Sequence, residues 1–251
     1  MLNLEPRTLV LDIETAPIIA YVWGLKDQFI ALNQIKQDWA IIAWGAKWLN
    51  EPASKIMYED QRGHRNPYDD KGLLKHLWKL LDQADIVITQ NGQSFDGPKI
   101  NARFILNGMT PPSPYKHLDT YRIARQVFEF TSNKLEYLTH SLCSEHKKVL
   151  HGQFPGMKLW TECLNGNLAA WKEMQRYNIK DVLSTEELYN TIKAWKPARM
   201  PDTHSIPVNS PKCGTCGAFA LQKRGVAIAK QKSYQRYQCK SCGHWSTGEK
   251  I

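Results

Sequence analysis

Long apolar runs are missing from this 251-residue chain, and no segment approaches the roughly 20 apolar residues that a helical membrane span requires. The N-terminus lacks a basic stretch followed by an apolar one, because residues 1–7 lead straight into a strand-like segment. No membrane partner and a cytoplasmic location are therefore expected. Cysteine is sparse, six residues in all, and in a reducing compartment these read as metal ligands and spare thiols, not disulfides. No internal repeat is visible, which excludes a solenoid. The histidines share no metal-ligand spacing, so His140, His146 and His151 receive no role. Acids are outnumbered, 24 against 33 Lys and Arg, and the net charge of +9 favours a polyanionic partner.

Residues 8–195 alternate strand-like and helix-like patterns. Strands are expected at Thr8–Ile13, Ala40–Trp48 and Lys55–Tyr58, with no strong helix between them. Gly72–Gln83 has apolar residues at three- and four-residue spacing, the mark of an amphipathic helix. A short strand at Asp85–Thr89, a helix at Pro98–Leu106 and a strand near Tyr115–Leu118 follow. Helices from Thr120 to about Phe128, Lys134–Cys143 and Asn167–Ala194 complete this part. The order predicts an α/β fold with a mixed sheet flanked by helices, the ribonuclease H-like architecture. Residues 196–212 carry four prolines and small polar residues, which predicts an extended linker. Residues 213–251 form a further small module, and eight Lys or Arg from Lys212 to Lys250 face the single acid Glu249.

Within the first strand, Asp12 and Glu14 alternate with Leu11 and Ile13, so both carboxylates project from one face. Paired acids repel and lose hydration, and a divalent cation between them reverses that sign; taken alone, the pair also fits a solvated strand end. Asp96 stands where the Asp85–Thr89 strand gives way to a loop and helix, a place suited to a site or to a helix cap. Tyr177 and Asp181 are four residues apart on a helix and share a face. Asp119 also precedes a helix and is expected to cap it. Glu59, Asp60, Asp69 and Asp70 are expected to form a solvated surface. Trp23, Trp39, Trp44 and Trp48 could stack bases, but their spacing places most of them in the core.

Cys213-x-x-Cys216 and Cys239-x-x-Cys242 are separated by 22 residues, and four thiolates so spaced can close a tetrahedron around Zn²⁺. Glycines 214, 217 and 243 suit the tight turns of the two knuckles. Hairpin strands are expected at Phe219–Leu221 and Tyr234–Gln238, which makes the module a zinc ribbon. Its Lys223, Arg224, Lys230, Lys232, Arg236 and Lys240, with Tyr234 and Tyr237 between them, suit a nucleic-acid backbone. A purely structural zinc is the alternative. Cys143 and Cys163 are expected to be buried thiols.

The ordered set Asp12-Ile-Glu14, Asn91…Phe95-Asp96 and Tyr177-x-x-x-Asp181 resembles the DEDD 3′–5′ exonucleases, in the tyrosine branch. The likeness runs from Thr8 to Tyr189, and the stretch from Trp171 to Val182 is similar to phage and bacterial predicted exonucleases. The resemblance implies a metal-dependent exonuclease on single-stranded DNA, with RNA exonuclease, structure-selective endonuclease or non-catalytic nucleic-acid-binding protein as alternatives. It implies two Mg²⁺ or Mn²⁺ ions held by Asp12, Glu14, Asp96 and Asp181, and Tyr177 orienting the attacking water. Ile13, Thr15, Ala16, Asn91 and Phe95 are implied as substrate neighbours, although each could equally be packing. Replication or recombination proteins are the implied protein partners, and a phage origin would place the chain in the host cytoplasm.

Overall fold

The computed structural model describes residues 5–148, 152–197, 199–204, 212–229 and 232–250. In chain order the elements are β1 (Thr8–Thr15), β2 (Ile19–Ala20), β3 (Ile35–Gln37), β4 (Ile41–Trp48), β5 (Met57–Asp60), α1 (Lys71–Asp82) and β6 (Ile86–Thr89). There follow α2 (Asp96–Leu106), β7 (Lys116–Asp119), α3 (Thr120–Val127), α4 (Leu135–Leu142), α5 (Lys158–Leu164) and α6 (Leu168–Ile192). The C-terminal part contributes β8 (Leu221–Ala229), β9 (Lys232–Cys239) and β10 (Trp245–Lys250).

The main sheet is mixed, as expected, with strand order β5-β4-β1-β6-β7. β1, β4 and β5 run antiparallel in sequence, whereas β1, β6 and β7 are parallel neighbours joined through helices. Alternation along β1 sorts its side chains between two layers. Leu9, Leu11 and Ile13 pack with Leu73, Leu74, Leu77 and Leu81 of α1 and with Ile100 and Phe104 of α2. Val10 points the other way, toward Val182, Leu188, Tyr189 and Ile192 of α6. Asp12 and Glu14 share the Val10 face, so the strand presents them toward the long helix α6.

That helix begins at Asn167, whose side-chain oxygen accepts from the Ala169 and Ala170 amides. It is also clamped by Lys47 of β4, whose ammonium lies 2.7 Å from Glu186 while both groups are nearly buried. Gly45 is opposite Asp12 in the sheet, and a methyl group there would sit 2.2 Å from the Asn178 oxygen. The glycine is what lets α6 approach the sheet so closely.

Several expectations need correction. Asp70 is fully buried: its carboxylate takes the Arg103 guanidinium at 2.7 and 2.8 Å and the Ile41 amide at 3.0 Å. Asp60 likewise accepts from Tyr58 and Arg62 instead of facing solvent alone. The β2–β3 pair and the seven-residue α5 were not anticipated. In the C-terminal sheet, ordered β10-β9-β8, strand β8 starts at Leu221, where the expected strand was to end. Phe219 and Ala220 instead belong to the turn, with the Lys240 amide donating to the Ala220 carbonyl. A third strand, the mostly exposed β10, completes the sheet.

The expected linker is packed where it is described. Lys196 is buried and bonds to Asp202 at 2.8 Å, and Thr203 joins the Tyr189 hydroxyl to the Thr215 carbonyl. Residues 198 and 205–211 of the linker, and also His151 and Lys230, lie outside the described residues. Cys143 and Cys163 are buried, as expected.

Candidate active site

β1 ends in an irregularity between Glu14 and Thr15, where its register to β4 shifts. The shift falls beside the acids, a place where bulges commonly re-aim side chains. α6 crosses this face and delivers Asp181, so that carboxylate oxygens of Asp12, Glu14 and Asp181 all lie within 4.8 Å of one another. Asp96 comes from the other side of the strand. Its Oδ1 accepts the Ile13 amide at 3.2 Å, which pins it to the backbone between the two β1 acids. Asp96 is the first residue of α2, one place inside the N-cap position held by Phe95.

The electrostatics follow from this crowding. Burial, then the charges of Glu14, Asp181 and Asp96, hold the Asp12 carboxyl well above its ordinary range. Burial and Asp181 raise Glu14 to about 8. Burial raises Asp96 to about 7, against the lowering effect of the Ile13 amide. Burial also raises Asp181, opposed by Lys148. The Asp181 Oδ1 atom is buried without a hydrogen-bond partner among the described residues. Such a set of hard oxygen donors, desolvated and mutually repelling, fits a divalent cation.

Four supporting contacts were not read from the sequence. Asn178 Nδ2 donates to Asp12 Oδ2 at 2.7 Å and fixes that carboxylate. Lys148 Nζ lies 2.7 Å from Asp181 Oδ2 and 4.8 Å above the Tyr177 ring. The Trp160 indole adjoins Glu14 and offsets a little of the rise in its pKa, and its ring meets Tyr177 edge-on at 6.2 Å. Asp119 caps α3 as expected, and it also accepts the Asn91 and Gln93 amides, which holds the loop that presents Asp96. Asn178 could have been noticed as the residue after Tyr177 on the same helix; Lys148 sits in a loop with no pattern.

Tyr177 adjoins both Asp181 and Lys148, near enough for its phenol to influence the titration of each. Burial and the Asp181 charge raise its pKa, so the phenol stays protonated. Among the expected substrate neighbours, Thr15, Ala16 and Phe95 line a cavity of about 480 Å³ with Glu14, Met157 and Trp160. The Ile13 side chain is buried in the core, leaving its amide as the part that reaches the site. Asn91 is exposed in the loop before Asp96, with a left-handed backbone (φ 64°).

The four knuckle cysteines converge as well. Cys213 and Cys242 sulfurs are 3.9 Å apart and those of Cys216 and Cys239 are 3.7 Å apart. The edge of a tetrahedron with metal–sulfur bonds of about 2.3 Å is about 3.8 Å, so the set fits a structural zinc. Gly217 and Gly243 adopt φ of 76° and 80° and close the two turns. The cluster rests on the end of α6, where His244 Nδ1 meets the Ala194 carbonyl at 2.9 Å.

No curated protein matches the chain. Among solved structures, it is similar to the family B DNA polymerase from the hyperthermophilic archaeon Pyrobaculum calidifontis, with a TM-score of 0.53 and 17% identity. The match covers 75% of this chain and 25% of the polymerase chain, so the likeness concerns the fold and spans a quarter of that protein's length. The sequence profile of the RNase_H superfamily matches residues 43–193, from β4 through α6, more than half of the chain. By that match and by its mixed five-stranded sheet, the chain belongs to the RNase H superfamily.

Proposed function

We propose that the chain is a 3′–5′ exonuclease of the tyrosine DEDD branch, hydrolysing single-stranded DNA to nucleoside monophosphates. In this reading residues 1–195 form the nuclease domain, and residues 213–251 form a zinc ribbon, reached through 196–212, that grips the strand. The observation that carries it is the convergence of Asp12, Glu14 and Asp181 within 4.8 Å, with Asp96 bonded to the amide between the first two.

These four acids would hold two Mg²⁺ or Mn²⁺ ions, and Cys213, Cys216, Cys239 and Cys242 would hold one Zn²⁺. When bound, the divalent pair supplies a nucleophile at neutral pH and offsets charge on the phosphate. The chain's own groups do the positioning. Asn178 keeps Asp12 in one orientation, Trp160 does the same for Glu14, and the Ile13 amide sets Asp96. Tyr177, protonated and held by Lys148 and Asp181, orients the attacking water by hydrogen bonding and does not take its proton. Lys148 balances the Asp181 charge and leaves a cation beside the reaction centre.

The test is a time course on 5′-labelled single-stranded DNA with Mg²⁺, Mn²⁺ or chelator, alongside matched RNA. A ladder shortening from the 3′ end, lost in chelator and in Asp12→Ala, is expected. Undiminished cleavage by Asp12→Ala ends the assignment, and cuts within a circular single strand would make the protein an endonuclease.

A further inference from the structure

Between β1 and β4 the chain leaves the body of the fold as an arm. Its base is ordered: Ile19 and Ala20 pair with Gln37 and Ile35, and the Gln34 side chain bonds to both the Ala31 amide and the Tyr21 carbonyl. Its side chains nevertheless face outward. Nine large apolar residues between 18 and 32 are exposed, among them Trp23 at 100%, Phe29 at 91% and Tyr21 at 66%. Apolar exposure concentrated in so short a segment marks a binding surface.

Its position names the occupant. The arm starts at Pro17, and Glu14, Thr15, Ala16 and Pro17 together line the cavity beside the acids. An aromatic path continues from that cavity: Lys99 Nζ lies 5.1 Å from the Phe95 ring, which faces the cavity, and 3.7 Å from Trp39 at the arm's return. Lys36 lies 5.9 Å from the Tyr21 ring. Residues 17–39 carry Lys26 and Lys36 against Asp27 and Asp38, a net charge of zero. With no net charge the arm exerts little overall attraction on phosphates, whereas the faces of nucleobases are uncharged and stack on aromatic rings. We propose that Tyr21, Trp23 and Phe29 form a stacking platform for unpaired bases of the strand whose end enters the carboxylate site. Duplex bases are already stacked on each other, so the platform selects single strands. The inference rests on the nuclease reading and adds to it the element that chooses the substrate.

The experiment measures binding and cleavage separately. Binding of fluorescein-labelled oligo-dT is followed by anisotropy without divalent metal at several salt concentrations, and cleavage with Mn²⁺. For Trp23→Ala, Kd and KM should rise about tenfold, within the range of a single lost stack, and KM should rise more than kcat falls. The slope of log Kd against log salt should stay as in the wild type, because no phosphate contact is removed. Trp23→Phe should restore most of the affinity and Trp23→Leu should not; Phe29→Ala provides a second, independent exposed position. If Leu restores affinity as well as Phe, the contact is not stacking and the proposal falls; if the arm variants bind as the wild type does, the arm does not hold the strand and the proposal falls, and a dimer that then dissociates to monomers makes it a protein interface. A wild type that binds DNA but does not cleave it overturns the nuclease reading, and the binding arm still decides the platform. A wild type that neither binds nor cleaves overturns both.

Discussion

Freed of divalent cations, the protein should lose stability as the pH rises above neutrality. Glu14 moves from an ordinary 4.5 to about 8 on folding, and Asp96 from 3.8 to about 7. Between the unfolded and folded values the native state binds more protons than the unfolded chain, so stability falls with pH. That loss begins near pH 4 and ends as the pH passes about 8. Half-buried His117 and His204 and buried His244 have pKa values below 6.5 and give the opposite slope, which fades over about one pH unit above that value. The raised carboxyls therefore dominate the slope in the upper part of the interval from about pH 6.5 to 8.5. Over that interval Glu14 contributes on the order of 2 kcal/mol, at about 1.4 kcal/mol per pH unit. For a chain of this size that is a fall in Tm of roughly 5 °C. Thermal melts of metal-free protein followed by circular dichroism measure it, with Glu14→Gln as the control that should flatten the curve. Mn²⁺ at about 100 times its Kd should add close to 3 kcal/mol, and more at pH 8.5 than at 6.5, because binding requires deprotonated acids. A metal-free Tm that is flat or rises across this interval would refute the account of four buried, mutually repelling carboxyls.

Three further outcomes follow from the geometry. Tyr177→Phe should lower kcat roughly 10- to 100-fold, the equivalent of losing one hydrogen bond of about 1.5–3 kcal/mol, while leaving the Mn²⁺ Kd from calorimetry nearly unchanged. Asn178→Ala should cost about 10- to 100-fold in activity or metal affinity through a mobile Asp12, and Gly45→Ala should do the same by pushing the amide away, since its new methyl would lie 2.2 Å from Asn178 Oδ1; the double variant should be no worse than Asn178→Ala alone. Cys213→Ser should reduce bound zinc from about one per chain to none by atomic absorption, and should broaden the C-terminal amide signals in NMR, because a module this small depends on its metal.

The parts of the fold legible in sequence are those set by local pattern. Alternation in β1 and the leucine spacing of α1 each announce one element and one buried face, and both are where expected. The pairing of Tyr177 with Asp181 needs only helical periodicity. What stayed hidden depends on distant partners. Asp70 lies in a polar loop sequence, yet Arg103 from α2 reaches back 33 positions to bury it as an ion pair. Lys148 enters the site from a loop, and only the folded chain brings it to Asp181. The arm inverts the usual rule that apolar residues turn inward: of the four tryptophans whose spacing suits a core, Trp39, Trp44 and Trp48 pack there and Trp23 stands fully exposed.

The same geometry explains why the fold tolerates a repulsive cluster at its centre. If α6 could shift outward by a few ångströms, Asp181 would separate from Asp12 and Glu14 and the repulsion would relax. It is anchored on both sides of Asp181. Trp171 and Met174 are packed against Ile42 and Leu159 before it, and Val182, Leu188, Tyr189 and Ile192 are packed against the β6 and β7 face after it. The nearly buried Lys47–Glu186 pair adds a fixed contact to β4. Each fully buried apolar side chain contributes roughly 1.5–3 kcal/mol, so these anchors together outweigh the few kcal/mol that the acids cost. The helix is held in place by residues outside the acidic cluster, and the site is therefore kept compressed in a geometry that a bound divalent cation would relieve.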